Sequence, residues 1–197
     1  MVQVNRVIEY QFFYWGPFLY KTVLKPKELQ KIKKLCSKKT KKHNNKLAGL
    51  IKHEHIIESK NLLPIIYPYI QSYIQAYPSY GNKVIGNKIK LVEAWVNYMT
   101  KFESNPLHTH GGDLSFVIYT QIPKELEKEM KNSPANTNPG EIFFTYMLNP
   151  QKYDTNQHNF IPKEGDFFIF PATLHHRVNH FQSKGERISI SGNLEIN

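Results

Sequence analysis

The chain has 197 residues, 40% of them hydrophobic, a single cysteine and a formal net charge of +10. That length suits one domain with a sizeable core, and the lone Cys36 excludes an intramolecular disulfide framework while fitting a reducing compartment. No apolar run approaches the roughly 20 residues that span a bilayer, and the start lacks a basic stretch leading into an apolar core and cleavage site. The expectation is a soluble cytoplasmic protein with no membrane partner.

Val7 to Trp15 is apolar and aromatic and reads as a strand turned by Gly16-Pro17. Pro26 suits the first turn of a helix that sets Leu29, Ile32 and Leu35 on one face. Lys31, Lys33, Lys34, Lys38, Lys39, Lys41, Lys42 and Lys46 crowd the stretch that follows, with no arginine among them to read a base edge. Such a run either solvates a helix face or gains from phosphate contacts with nucleic acid, and the first reading is preferred.

His43 to His55 reads as a polar connection whose histidines, including the pair His53 and His55, sit in an exposed loop and carry no metal role. Leu62 to Tyr77 places Ile66, Ile70, Tyr73, Ile74 and Tyr77 at helical spacing despite Pro64 and Pro68, as expected of an element packed outside a sheet. From Lys88 the chain turns strongly β, with Glu93, Trp95 and Asn97 alternating against Val92, Ala94 and Val96. The division is therefore 1–87 as N-terminal strand and supporting helices and 88–197 as a mainly β core, within one domain 1–197.

Pro106 to Tyr119 sets His108 and His110 one residue apart before a buried-strand pattern. Residues i and i+2 of an extended segment share a face, so both imidazoles can aim at one metal ion, and Gly111-Gly112 lets the backbone turn after them. Lys124 to Lys131 reads as a short charged helix, Gly140 to Met147 as a strand, and Asn149 to Pro162 as a long polar insertion placed to act as a lid. Gly165 to Pro171 and Gly185 to Ser191 read as strands flanking His175-His176-Arg177-Val178, which would bring His176 and Arg187 onto neighbouring strands. His175 would point away from His176, and both it and His180 are read as structural.

FPATLHHRV followed by GERISIS resembles the distal signature of the iron(II)- and 2-oxoglutarate-dependent dioxygenases, and the match runs from about Val92 to Leu194. The His-x-His form followed by a glycine turn, Leu-Ser and a tyrosine-bearing strand is more closely similar to 2OG-Fe(II) oxygenases of bacteria and marine phages, with prolyl-hydroxylase features. The resemblance implies a mainly β fold with flanking helices, the double-stranded β-helix or jelly roll. It implies Fe(II) and 2-oxoglutarate as cofactors, ascorbate as an optional accessory, dioxygen as co-substrate, and a host-cytoplasmic setting if phage-encoded. It also implies His176 as the distal metal ligand, Arg187 with Ser189 and Tyr119 on the far carboxylate of 2-oxoglutarate, and Asn97 as a further donor to that cofactor. A sheet-edge amide is the other reading of Asn97.

The family's carboxylate ligand position is occupied here by His110. Either His108, His110 and His176 hold the metal together, or Asp113 supplies a carboxylate and one of the paired histidines does not bind. The i, i+2 spacing favours the first account, with Asp113 then orienting an imidazole N–H. The implied reaction is hydroxylation of a C–H bond in a protein or peptide side chain, prolyl first, coupled to decarboxylation of 2-oxoglutarate to succinate. The alternatives are a nucleic-acid base as substrate, which would enlist the lysine cluster, and a cupin-like metal-binding module without turnover.

Overall fold

A computed structural model describes residues 16–44, 47–81, 85–134, 138–146, 149, 151–152 and 156–197. The strand expected over Val7 to Trp15 lies outside them. The described residues form β1 (Tyr20–Val23), α1 (Pro26–Leu35), β2 (Glu54–Ile56), α2 (Ser59–Gly81) and β3 (Ile89–Met99). After these come β4 (Asn105–His108), β5 (Leu114–Gln121), α3 (Leu126–Asn132), β6 (Ile142–Thr145), β7 (Gln157–Phe160), β8 (Asp166–Pro171), β9 (His175–Val178) and β10 (Arg187–Ile196).

The strands make two antiparallel sheets: a large one in the order β1-β8-β5-β10-β3-β2 and a small one in the order β4-β9-β6-β7. Alternation along each strand of the large sheet divides its side chains between two cores. On β5, Phe116 and Ile118 face outward, joining Ile32 of α1 and Leu62, Ile66, Ile70 and Tyr73 of α2. Val117 and Tyr119 face inward, where Met99, Phe168, Phe144 and Val178 fill the space between the sheets.

Helix α2 continues through Pro64 and Pro68, although an interior proline removes a hydrogen bond and costs about 3 kcal/mol. Both prolines lie on the solvent face, opposite Leu62, Ile66 and Ile70. Complete burial of those three, at about 2 kcal/mol each, is of the same size as the loss at these two prolines and holds the helix to the sheet.

The lysine-rich stretch begins on the exposed side of α1. Lys33 pairs with Glu164 and Lys38 with Glu186, so part of the cluster is internally compensated. His55 is not an exposed loop residue: it lies on β2, 3% exposed, with Nδ1 donating to the Thr40 carbonyl at 2.9 Å. The insertion at 149–162 contains β7, an edge strand hydrogen-bonded to β6, and this part is a sheet element rather than a lid. His176 and Arg187 sit not on neighbouring strands but in opposite sheets, because β9 pairs with β4 and β6 whereas β10 pairs with β3 and β5.

Candidate active site

His108 on β4 is directly opposite His176 on β9, and antiparallel partners share a face, so both rings leave the small sheet on its inner side. Their centroids are 4.3 Å apart. His110 follows the end of β4, where its backbone N–H donates to the Ala172 carbonyl at 2.9 Å. Its ring lies 4.9 Å from that of His108 and 5.0 Å from that of His176. One ligating nitrogen from each of the three falls within 4.8 Å of the others. Gly112, at φ +89°, then turns the chain into β5, and a Cβ there would meet the Leu194 carbonyl oxygen at 2.9 Å.

Backbone carbonyls fix two of the tautomers. Nδ1 of His108 is 2.6 Å from the Pro106 oxygen and Nδ1 of His176 is 2.9 Å from the Leu174 oxygen. A carbonyl only accepts, so each neutral ring donates from Nδ1 and keeps its Nε2 lone pair for the centre. Burial lowers the pKa of His108; burial and then the His108 charge push His110 down to about 4 and His176 down to about 3. At neutral pH all three rings are in the form that binds a metal.

Asp113 takes neither role expected of it. Its side chain is exposed, its Oδ2 accepts from the Ile196 N–H at 2.8 Å, and it has no part in the histidine cluster. The backbone explains this: Asp113 N–H and C=O bond to Leu194 and Ala172, which turns its side chain toward the end of β10. The Pro106 and Leu174 carbonyls do the orienting instead.

Across the cavity, the large sheet contributes a polar row. Glu54, Asn97, Ser189 and Tyr119 are register partners on β2, β3, β10 and β5, so all four project from one face. All four line the cavity together with Arg187, Ser191, Trp95 and the three histidines. Asn97 is fully engaged within the protein: its Oδ1 accepts from Trp95 Nε1 at 3.1 Å, and its Nδ2 donates to Ser191 Oγ at 3.1 Å and Ser189 Oγ at 3.4 Å. Its amide therefore steadies the two serines and lines the cavity with them.

Arg187 is 2% exposed and has no carboxylate partner among the described residues. Its Nη1 donates to the Gly140 carbonyl at 3.0 Å, while its Nε has no partner. The guanidinium lies 5.3 Å from the Tyr119 ring, whose buried hydroxyl is also without a partner; burial pushes that phenol up to about 12. A buried cation and a buried O–H donor left unsatisfied are costly unless an anion completes them. A larger cavity, about 720 Å³, lies beside α3 and residues 161–164, but neither a histidine nor a buried cation lines it. The chemistry converges at the narrower cavity.

Two facing antiparallel sheets, with three imidazoles on one side of the cavity and a buried guanidinium beside a buried phenol on the other, give a jelly-roll framework. Residues 93–193 match the family model described as "Putative 2OG-Fe(II) oxygenase". The chain belongs to this family: it is a 2-oxoglutarate-dependent oxygenase whose cofactors are iron(II) and 2-oxoglutarate. That decides against a metal-binding module without 2-oxoglutarate. The fold is similar to a Pseudomonas putida prolyl-4-hydroxylase, at 12% identity over 91% of this chain and 92% of that one, with a TM-score of 0.55. It is also similar to a viral collagen prolyl hydroxylase from Paramecium Bursaria Chlorella virus-1 (14% identity, 89% and 94% coverage, TM-score 0.54). A third similar structure is HygX from Streptomyces hygroscopicus with nickel and 2-oxoglutarate (10%, 92% and 83%, 0.52). No curated protein sequence matches the chain.

The residues present fit both cofactors. Three converging neutral imidazoles suit a divalent transition metal, and the unpartnered Arg187 Nε and Tyr119 hydroxyl suit a carboxylate. Sequence reasoning missed Leu47, Ala48, Glu54 and Asn105, which also line the cavity. They fall in polar connections or short strands without periodicity, where no local signal marks them.

Proposed function

We propose that His108, His110 and His176 hold iron(II) as an all-histidine set, and that Arg187, Tyr119 and Ser189 take the far carboxylate of 2-oxoglutarate. The substrate we infer is a protein or peptide side chain, prolyl first, and the 197 residues act as one oxygenase domain. The observation that carries this is the buried, unpartnered Arg187–Tyr119 pair opening on the same cavity as the three imidazoles. The names of two similar folds, both prolyl hydroxylases, support the choice of substrate.

Bound iron(II) and 2-oxoglutarate supply the oxidation, in which dioxygen is consumed, 2-oxoglutarate loses carbon dioxide to become succinate, and a C–H bond gains a hydroxyl. The chain's own part is positional. The Pro106 and Leu174 carbonyls lock the His108 and His176 rings, and Asn97 holds Ser189 and Ser191 facing the cavity. Arg187, fixed by the Gly140 carbonyl, presents a charge that does not titrate at physiological pH. Phe144, Phe170 and Trp95 surround the imidazoles and exclude water.

The lysine cluster gives the nucleic-acid reading little support, because Lys33 and Lys38 are paired with Glu164 and Glu186. The test is incubation of iron-loaded protein with 2-oxoglutarate and proline-containing peptides, measuring succinate and the peptide's mass. Succinate formation with an added oxygen atom on proline is the expected result. Succinate stimulated only by oligonucleotides would overturn the peptide assignment.

A further inference from the structure

Among the described residues four carboxylates are buried: Glu54, Glu103, Glu141 and Asp166. Asp166 is satisfied by Lys21 Nζ at 2.6 Å and the Lys163 N–H at 3.0 Å. Glu103 accepts the N–H groups of Lys52 and Thr100, at 3.0 and 2.7 Å. Glu141 faces the other cavity and accepts from Asn159 at 2.5 Å. Glu54 is different: it is 1% exposed, lines the histidine cavity, and its side chain accepts one hydrogen bond, from Asn44 Nδ2 at 3.2 Å. No lysine, arginine or histidine pairs with it among the described residues.

Glu54 also ends the row that begins at Tyr119 and Ser189, on the far side of Asn97. With strands about 4.8 Å apart, it stands about 10 Å from the Ser189 strand position, too far to share a carboxylate anchored there. The backbone of Gly49 lies close against this corner. A Cβ at that position would lie 3.0 Å from Glu54 Oε1 and 2.5 Å from Asn105 Oδ1, so any larger residue crowds both groups. Asn105 is on β4, three residues before His108, which sets this polar corner beside the metal end of the cavity.

We propose that Glu54, with Asn105 beside it, receives a basic side chain of the peptide substrate, a lysine or arginine next to the residue that is oxidised. This rests on the peptide reading above. A buried carboxylate with one long hydrogen bond carries an unrecovered desolvation penalty, and an entering ammonium or guanidinium is the chemistry that repays it. Glu103 adds a second negative charge: burial and then that charge push the Glu54 carboxyl up to about 7. The cavity thus has a cationic end at Arg187 for the diacid and an anionic end at Glu54 for the substrate. The chain's net charge of +10 opposes a basic peptide in general, so a preference for one must come from a local acceptor.

The experiment is calorimetric titration, at about pH 8, of protein loaded with nickel(II) and 2-oxoglutarate. The probes are alternating lysine–proline, norleucine–proline and glutamate–proline peptides. Wild-type protein should bind the lysine peptide at least about 10-fold more tightly than the norleucine peptide, with the glutamate peptide weakest. Glu54→Gln should bring the lysine and norleucine peptides to within about 2-fold while leaving 2-oxoglutarate affinity unchanged. Equal affinity of the lysine and norleucine peptides for the wild type overturns the assignment and leaves the peptide reading standing, as does a lysine advantage that persists in Glu54→Gln. Binding of none of the three overturns the peptide reading and this assignment with it. If the variant fails to fold, the ranking of the three peptides on the wild type decides.

Discussion

His108 and His176 face each other across the β4–β9 ladder with ring centroids 4.3 Å apart, and each donates Nδ1–H to the carbonyl two residues before it. The same local device used twice leaves two Nε2 lone pairs converging without help from a carboxylate. Nitrogen-15 NMR of the metal-free protein at about pH 7.5 should show both rings as the Nδ1–H tautomer. His176→Ala should lower iron affinity by at least about 100-fold, read by metal analysis after dialysis. Asp113→Asn should leave it within about 3-fold, because that side chain serves Ile196.

Arg187→Met should weaken 2-oxoglutarate binding by about 30-fold or more, the cost of removing one side of a buried charged contact. Arg187→Lys should recover little of it, since an ammonium cannot reproduce the planar fork held on the Gly140 carbonyl. Tyr119→Phe should cost about 5- to 10-fold in the same titration, in line with one hydrogen bond. Without 2-oxoglutarate the Tyr119→Phe protein should be no less stable than the parent, because the hydroxyl it loses is unpartnered.

Metal-free protein should lose stability as the pH falls below about 6.5. His110 and His176 are held near 4 and 3, so the unfolded chain takes up protons in that window that the folded chain refuses. The slope is about 1.4 kcal/mol per pH unit for each ring, and thermal melting at stepped pH reads it.

Glu54 acts in the opposite sense. Its carboxyl is raised from 4.5 to about 7, so the folded state holds the extra proton and stability falls as the pH rises from about 4.5 to 7. Glu54→Gln should therefore melt higher than the parent at about pH 8, by an amount on the order of a few kcal/mol, and lose that advantage near pH 4.5.

Gly112→Ala should destabilise the protein by about 1–3 kcal/mol and loosen the metal centre. The backbone there is left-handed and the Leu194 oxygen occupies the place of a methyl group. Denaturant unfolding and iron retention should fall together, because this turn ties His110 to β5.

Much of the site was readable because its signals are local. His108 and His110 are set by i, i+2 spacing, and His176, Arg187 and Ser189 by a compact signature. What escaped depends on which strands pair. Nothing in the order of β9 and β10 along the chain tells that they join different sheets. Gln157–Phe160 carries no alternation of polar and apolar residues, so an edge strand looks like a loop. Glu54 reads as one more polar residue until β2 pairs with β3 and brings it into line with Asn97. Asp113 misled because distance along the chain says nothing about a side chain turned by its own backbone bonds.

The imidazoles of His108 and His176 hang from the small sheet, and Arg187, Ser189 and Tyr119 from the large one. A diacid gripped at both ends would rivet the two layers, with Phe168, Phe144 and Val178 serving as spacers that set the rivet's length. Trimming a spacer that packs against Tyr119, as in Phe168→Leu, should then shift the two anchors relative to each other and weaken the grip while every anchoring residue stays in place.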